Sequence, residues 1–224
     1  QGAFDRKIMT RVALAPANAH GAAPMKIDLA LNGQISYAKH EAKRTDGLCM
    51  RSAVILVGTS EAVLDNFRCA AAGKVSDKPY FWATAPTAVD PTQAPVGQDV
   101  VYIYPIAMPL EPTLGWDNIR ANTAQQMINF TAEYMDGLKE YEIARRIEAS
   151  PELADRLKVH RGCVVHIDTG ITRSGLMRPA AGLGSDKLPV DGFFLGGAGI
   201  HPGGGVNGLP GRITAARVKR YLKK

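Results

Sequence analysis

The first regular signal along the chain is an alternation of apolar and polar positions at Met25-Lys26-Ile27-Asp28-Leu29-Ala30-Leu31. A period of two puts Ile27, Leu29 and Leu31 on one face of a strand, and Asn32-Gly33 supplies the turn that ends it. Residues 52–57 form an apolar run that reads as a buried strand. The period then changes: residues 60–72 read as a helix with Ser60 as N-cap, Val63, Leu64 and Phe67 inward, and Gly73 as the stop. Strands are expected again over 80–85 and 100–107, flanking a proline-rich turn at 86–97 as a hairpin-like unit. Residues 117–134 place Ile119, Met127, Phe130 and Tyr134 at helical spacing behind Asp117 as a cap. Ser150-Pro151-Glu152 opens a short helix, since Ser caps and Pro suits the first turn, and 162–167 reads as a further strand. Residues 1–23 show little periodicity and read as an irregular arm.

This order predicts an α/β protein of the α+β kind: a mixed β-sheet with helices over 24–175, preceded by the arm 1–23. A segment 176–224 follows, ending in strand, glycine loop and helix. Gly, Ala, Ser and Asp dominate 175–188, which places a boundary there. No internal repeat is evident.

Composition narrows the classes. With 224 residues, 46% of them apolar and 21% charged, the chain can bury a sizeable core and disorder is excluded. No apolar run approaches the roughly 18 residues a membrane-spanning helix needs, and the start lacks the layout of a signal peptide, so a soluble, cytoplasmic protein is expected. Cys49, Cys69 and Cys163 are odd in number, far apart and without histidines at metal spacing, which argues for small buried residues rather than disulfides or a metal site. The formal charge of +6 is scattered. Its one dense patch, Arg212, Arg217, Lys219, Arg220, Lys223 and Lys224, reads as the solvated end of the last helix, so no nucleic-acid partner is expected.

Nine of the 23 glycines fall between Gly192 and Gly211, after an apolar run and before the last helix. Glycine permits positive φ and close backbone approach, and a helix N-terminus presents free N–H groups to a docking anion. Gly203, Gly205 and Gly208 even match the G-x-G-x-x-G dinucleotide fingerprint. A working fingerprint opens a βαβ unit with an acidic residue about 20 positions on, whereas only 16 residues follow Gly208 and none is Asp or Glu. The cluster is therefore one wall of a site completed elsewhere.

The segment Pro189-Val190-Asp191-Gly192-Phe193-Phe194-Leu195-Gly196-Gly197-Ala198-Gly199, continued by His201-Pro202-Gly203-Gly204-Gly205-Val206 and by Gly208 and Gly211, resembles the C-terminal FAD-contacting motif of phytoene desaturase-like flavoproteins. Met25 to Leu31 resembles the strand opening the second part of that family's substrate domain. Pro86 to Gly97, with Asp90-Pro91-Thr92, resembles its proline-rich turn, and Arg178-Pro179 the segment before its last flavin strand. The family's N-terminal Rossmann strand and glycine turn have no counterpart in residues 1–60.

The resemblance implies that 24–175 is a substrate-binding domain and 176–224 the C-terminal part of an FAD-binding domain. It implies FAD as cofactor, held by Gly196, Gly197, Ala198, Gly199, His201, Pro202, Gly203, Gly204, Gly205, Val206, Asn207 and Gly208. The remaining Rossmann segment would come from another polypeptide, in a hetero-oligomer, and an initial Gln1 fits processing or truncation. The expected function is hydride transfer from an apolar, unsaturated or alicyclic substrate to flavin. The alternatives are a redox-neutral double-bond isomerase and a non-catalytic assembly module. His201 is the candidate acid or base, against a role in fixing the loop by a hydrogen bond. Asp28, His166 and Asp168 are weaker candidates for which capping or surface roles are the default. Tyr80, Trp82, Tyr102, Tyr104 and Met108 are candidates for a substrate channel or for core packing.

Overall fold

A computed structural model describes residues 4–185 and 188–223. In chain order the helices and strands are α1 (Arg6–Ala13), β1 (Ala22–Ala23), β2 (Lys26–Leu31), α2 (Ala38–Glu41), β3 (Ile55–Val57), α3 (Ser60–Ala71), β4 (Phe81–Thr84), β5 (Asp99–Pro105), β6 (Met108–Pro109), α4 (Trp116–Ala132), β7 (Glu142–Glu148), α5 (Ser150–Leu157) and α6 (Leu209–Tyr221). The expected α+β class is what the chain adopts. Its two compact units are His20–Lys158 and Gln1–Ala19 with Val159–Lys224, a division at other positions than the expected 23/24 and 175/176. The readings placed on Gln1 and Lys224, and on Asp186 within the boundary segment, lie outside the described residues. Among the described residues, no helix is long and apolar enough to cross a membrane.

The unit His20–Lys158 is built on an antiparallel sheet of order β3-β4-β5-β2-β7. The alternation at 26–31 works as read: Ile27, Leu29 and Leu31 are buried and their polar neighbours half-buried. Val101 and Ile103 of β5 and Phe81 and Ala83 of β4 join that face, and Ala124, Met127 and Ile128 of α4 belong to the same core cluster. Each such side chain contributes about 1.5–3 kcal/mol on leaving water. The proline-rich connection between β4 and β5 folds as two 3-10 turns, Pro86–Ala88 and Pro91–Gln93. It is pinned by the buried carboxylate of Asp99, which accepts from Thr87 Oγ1 (2.7 Å), Arg51 Nη2 (2.6 Å) and the Ile35 amide (2.9 Å).

Several expectations are corrected. Residues 52–57 yield only the edge strand β3, with Leu56 exposed, because a sheet edge has a single neighbour to cover it. The inward face of α3 is Ala62, Asn66 and Ala70, while Leu64 and Phe67 are exposed. Small residues let this helix pack closely on β1 and β6, where Ala22, Ala70 and Ala107 cluster. Its N-cap is Thr59, whose hydroxyl accepts from the Ala62 amide (3.3 Å), not Ser60. The stop at Gly73 holds: the Gly73 and Lys74 amides donate back to Ala70 O (3.0 Å) and Cys69 O (2.9 Å), closing a Schellman turn. Asp117 lies inside the first turn of α4 and favours the helix dipole rather than capping it. Cys163 is buried, Cys69 partly so, and Cys49 is exposed.

The second unit contains no strand among the described residues. Residues 6–13, expected as arm, form α1 behind Asp5, whose carboxylate accepts the Ile8 amide (2.8 Å). The strand expected at 162–167 is a series of turns, since Gly162 and His166 take positive φ. Residues 193–196 have no regular secondary structure and no ladder partner among the described residues. The apolar core here is small: Ile8, Ala180 and Leu183, with Phe4, Leu188 and Leu195 against it.

Glu148 at the end of β7 is 3% exposed and accepts from Arg156 Nη2 (2.7 Å) and Arg146 Nη2 (2.9 Å). The Arg156 guanidinium holds its carboxyl below the usual range, with burial opposing and Arg146 assisting. A depressed folded-state value adds stability that is complete above the unfolded value of about 4.3 and is lost as pH falls through the folded value. Glu148→Gln is therefore expected to cost about 1–3 kcal/mol at pH 7 and to flatten the acid limb of stability. Urea midpoints of both proteins across that range provide the check.

Candidate functional site

The glycine-rich segment is organised from below by Arg178, which is 1% exposed. Its Nε and Nη2 donate to Ala198 O (3.1 and 2.8 Å). Nη2 also donates to Val165 O (2.9 Å) and Ile167 O (3.0 Å), and Nη1 to Asp168 O (3.3 Å). The guanidinium fork thus gathers carbonyls from two separate turns. Burial lowers its pKa, but an arginine remains charged at any physiological pH.

The expected cofactor residues form one continuous loop above it. Gly197–Gly199 is a 3-10 turn, and Ile200 behind it is buried. Gly203 has φ +103°, and a Cβ there would sit 3.4 Å from Arg178 Nε; one at Gly204 would press on Val165 Cγ1 at 3.1 Å. Gly203 is buried and needs glycine for its positive φ, while Gly204, though exposed, leaves little room for a Cβ on its Val165 side. On the other side the loop is open: Gly204, Gly205, Val206, Asn207 and Gly208 are exposed, and a Cβ at Gly197 or Gly208 would meet nothing within 4 Å. Asn207 Oδ1 accepts the Leu209 amide (3.0 Å) at the start of α6, and Pro210 has no N–H, so Gly211 carries the free amide of the helix end. Thr214 Oγ1 donates to Leu195 O (2.6 Å) and ties the helix to the segment entering the loop.

The side-chain candidates separate. His201 Nδ1 accepts the Gly175 amide (3.2 Å), a loop-fixing bond. Asp168 is occupied by the Asn18 and Ala19 amides (2.7 and 2.8 Å), holding the stretch after α1, so it and His166 are not paired on a strand. His166 instead lines an apolar cavity of about 690 Å³ within this unit. Its walls include Ile8, Met9 and Val12 of α1 facing Leu183, Phe193 and Leu195. Burial pushes the Cys163 thiol up. Among the described residues, no group of His, Cys, Asp or Glu is arranged to hold a metal.

In the sheet unit the aromatic candidates divide too. Trp82 stacks on Tyr104 (5.0 Å) and Tyr104 on Tyr102 (5.5 Å), on the face opposite the core, with Lys26 Nζ 5.0 Å over Tyr102 and paired to Asp28. Burial, then Tyr104 and Asp28, push the Tyr102 phenol up. Met108 is buried in the core and Tyr80 packs against Gly58. Sequence reasoning missed the role of Arg178 and the apolar wall of α1. An Arg-Pro step before a glycine run was the only available signal for the former.

No protein-family profile matches the chain. A pyridine nucleotide-disulfide oxidoreductase domain-containing protein 2 from Mus musculus is 33% identical over 160 residues, covering 70% of this chain and 28% of that protein. A phytoene desaturase (lycopene-forming) from Pseudescherichia vulneris is 29% identical over 150 residues, 66% of this chain and 29% of that one. The chain is phytoene desaturase-like. A limonene dehydrogenase polypeptide from Castellaniella defragrans is also similar to the phytoene desaturase-like chain, at 30% identity over 128 residues, 54% of this chain and 23% of that one. The chain spans under a third of the length of these curated relatives.

The two sides of the loop respond differently to a methyl group. Gly203→Ala is expected to destabilise by about 1–3 kcal/mol, from positive φ and the closed space over Arg178. Gly211→Ala, inside α6 with open space around it, gains about 0.5–1 kcal/mol of helix propensity. Chemical denaturation of the two variants provides the comparison.

Proposed function

We propose that this chain is the C-terminal portion of an FAD-dependent oxidoreductase that desaturates or oxidises an apolar substrate. The observation that carries the reading is the open backbone of Gly196–Gly208 running into the uncovered N-terminus of α6. Such a surface suits a large planar, partly anionic group: its glycines leave backbone groups accessible between the exposed His201, Pro202, Val206 and Asn207, and its helix end favours negative charge. Bound flavin supplies the acceptor for a hydride. Gly196 to Gly199 would lie along its chain, and the amide end of α6 would face the pole where charge develops on reduction. His201 holds the loop through Gly175, so it is assigned there to shape and not to proton transfer.

Two further observations support the reading. The cavity against α1 is of the size and apolar character of a small-ligand site, which favours a hydrocarbon-like substrate. On this reading residues 193–196 belong to a strand, and among the described residues they have no ladder partner; a strand buried in an assembly requires one. A second polypeptide segment carrying the Rossmann strands would supply the pairing and the adenine end of the site. A cytoplasmic hetero-oligomer belongs to the same proposal.

The assembled protein is expected to show the absorbance of oxidised flavin at one equivalent per chain and to be bleached anaerobically by an apolar alkene or alicyclic substrate. A flavin-free assembly overturns the reading. Turnover without consumption of an electron acceptor replaces oxidation by double-bond isomerisation.

A further inference from the structure

We propose that Arg178 is the positioning residue of the glycine loop: it sets the path of 198–204 and keeps a positive charge beneath it, so the open side receives an anionic group. The guanidinium is buried, and its hydrogen-bond partners among the described residues are backbone carbonyls, those of Ala198, Val165, Ile167 and Asp168, the two Nη2 hydrogens being shared among three of them. A buried arginine ordinarily meets a carboxylate. Here carbonyl dipoles satisfy the donors, and the guanidinium keeps a positive charge, which the Asp168 carboxylate nearby favours, beneath the buried Gly203, whose Cβ position would lie 3.4 Å from Nε. In a low-dielectric site such a charge acts strongly on whatever lies across that backbone.

Two consequences follow from this geometry. Ala198 accepts from two nitrogens at once, so the turn Gly197–Gly199 cannot rotate without breaking both bonds. The charge also adds to the potential of the α6 N-terminus rather than opposing it. The identity of the anion, an FAD pyrophosphate or reduced ring, rests on the flavin reading above; the positioning role rests on geometry alone.

The test uses Arg178→Met and Arg178→Lys in the assembled protein, with and without FAD. Arg178→Met is expected to speed amide exchange at 198–204 at least tenfold, leaving α1, in the same unit, protected as the folding control. It is also expected to weaken FAD binding about tenfold or more, as loss of charged hydrogen bonds does. At saturating FAD the flavin potential should become more negative, because the reduced anion loses its charge partner. Arg178→Lys keeps the charge without the fork. It should restore the potential while exchange stays fast, and it carries the test if the methionine variant does not fold. Wild-type exchange at 198–204 in both variants overturns the positioning role, and an unchanged potential in Arg178→Met overturns the charge role. If wild type binds no flavin, the flavin reading and the charge role fall together, while the exchange result still decides positioning.

Discussion

The unit formed by 1–19 and 159–224 depends on one cation meeting four carbonyl oxygens. A chain segment without strands has no ladder in which to place its backbone acceptors, and buried ones left unpaired are costly. Val165, Ile167, Asp168 and Ala198 face that problem together, and the Arg178 guanidinium answers it with Nε, Nη1 and Nη2 each donating into this group of carbonyls. Taking a guanidinium out of water is unfavourable. The cost is tolerated because the apolar core here, Ile8, Ala180 and Leu183, is too small to order the turns by burial alone.

The sheet unit solves the same problem in reverse. Its backbone is satisfied by the β3-β4-β5-β2-β7 ladders, and its ordering comes from the apolar face that α4 covers. One of its buried charges, Asp99, is an acceptor surrounded by donors from three loops. Where Arg178 substitutes for secondary structure, Asp99 only fastens connections onto a sheet that already exists. The polar pin in the glycine unit therefore bears on the shape of a surface, and the one in the sheet unit on stability.

Legibility in the sequence follows the same divide. β2, the hairpin of β4 and β5, the body of α4 and the Gly73 stop were readable because one apolar face or one local turn chemistry determined each. β7 was not: it is an edge strand whose Glu142, Arg145, Arg146 and Glu148 pair with neighbours, so charge masks the period of two. The face of α3 was misread because close packing on β1 and β6 selected alanines over the larger Leu64 and Phe67. At 162–167 an apolar run suggested a strand, but the carbonyls of Val165 and Ile167 are directed to Arg178, a partner 11 to 13 residues away that no local pattern encodes. The loop 196–208 was legible from composition. What holds it was not.

That asymmetry bears on how the site would work. The residues named for the cofactor lie on one loop, buried at Gly203 and exposed from Gly204 to Gly208, and on the proposed reading the groups it offers are backbone amides, whose positions are set by what lies underneath. His201 and Asn207 are both engaged within the fold, one with the Gly175 amide and the other with that of Leu209. On the proposed reading, side-chain substitutions around this loop act on chemistry only by moving the backbone, and Gly203 and Gly204, with little room for a Cβ, carry more weight than the open positions. Substrate choice then falls to surfaces of a different kind, the apolar walls lined by α1, Phe193 and Leu195, where shape and burial rather than hydrogen bonds discriminate.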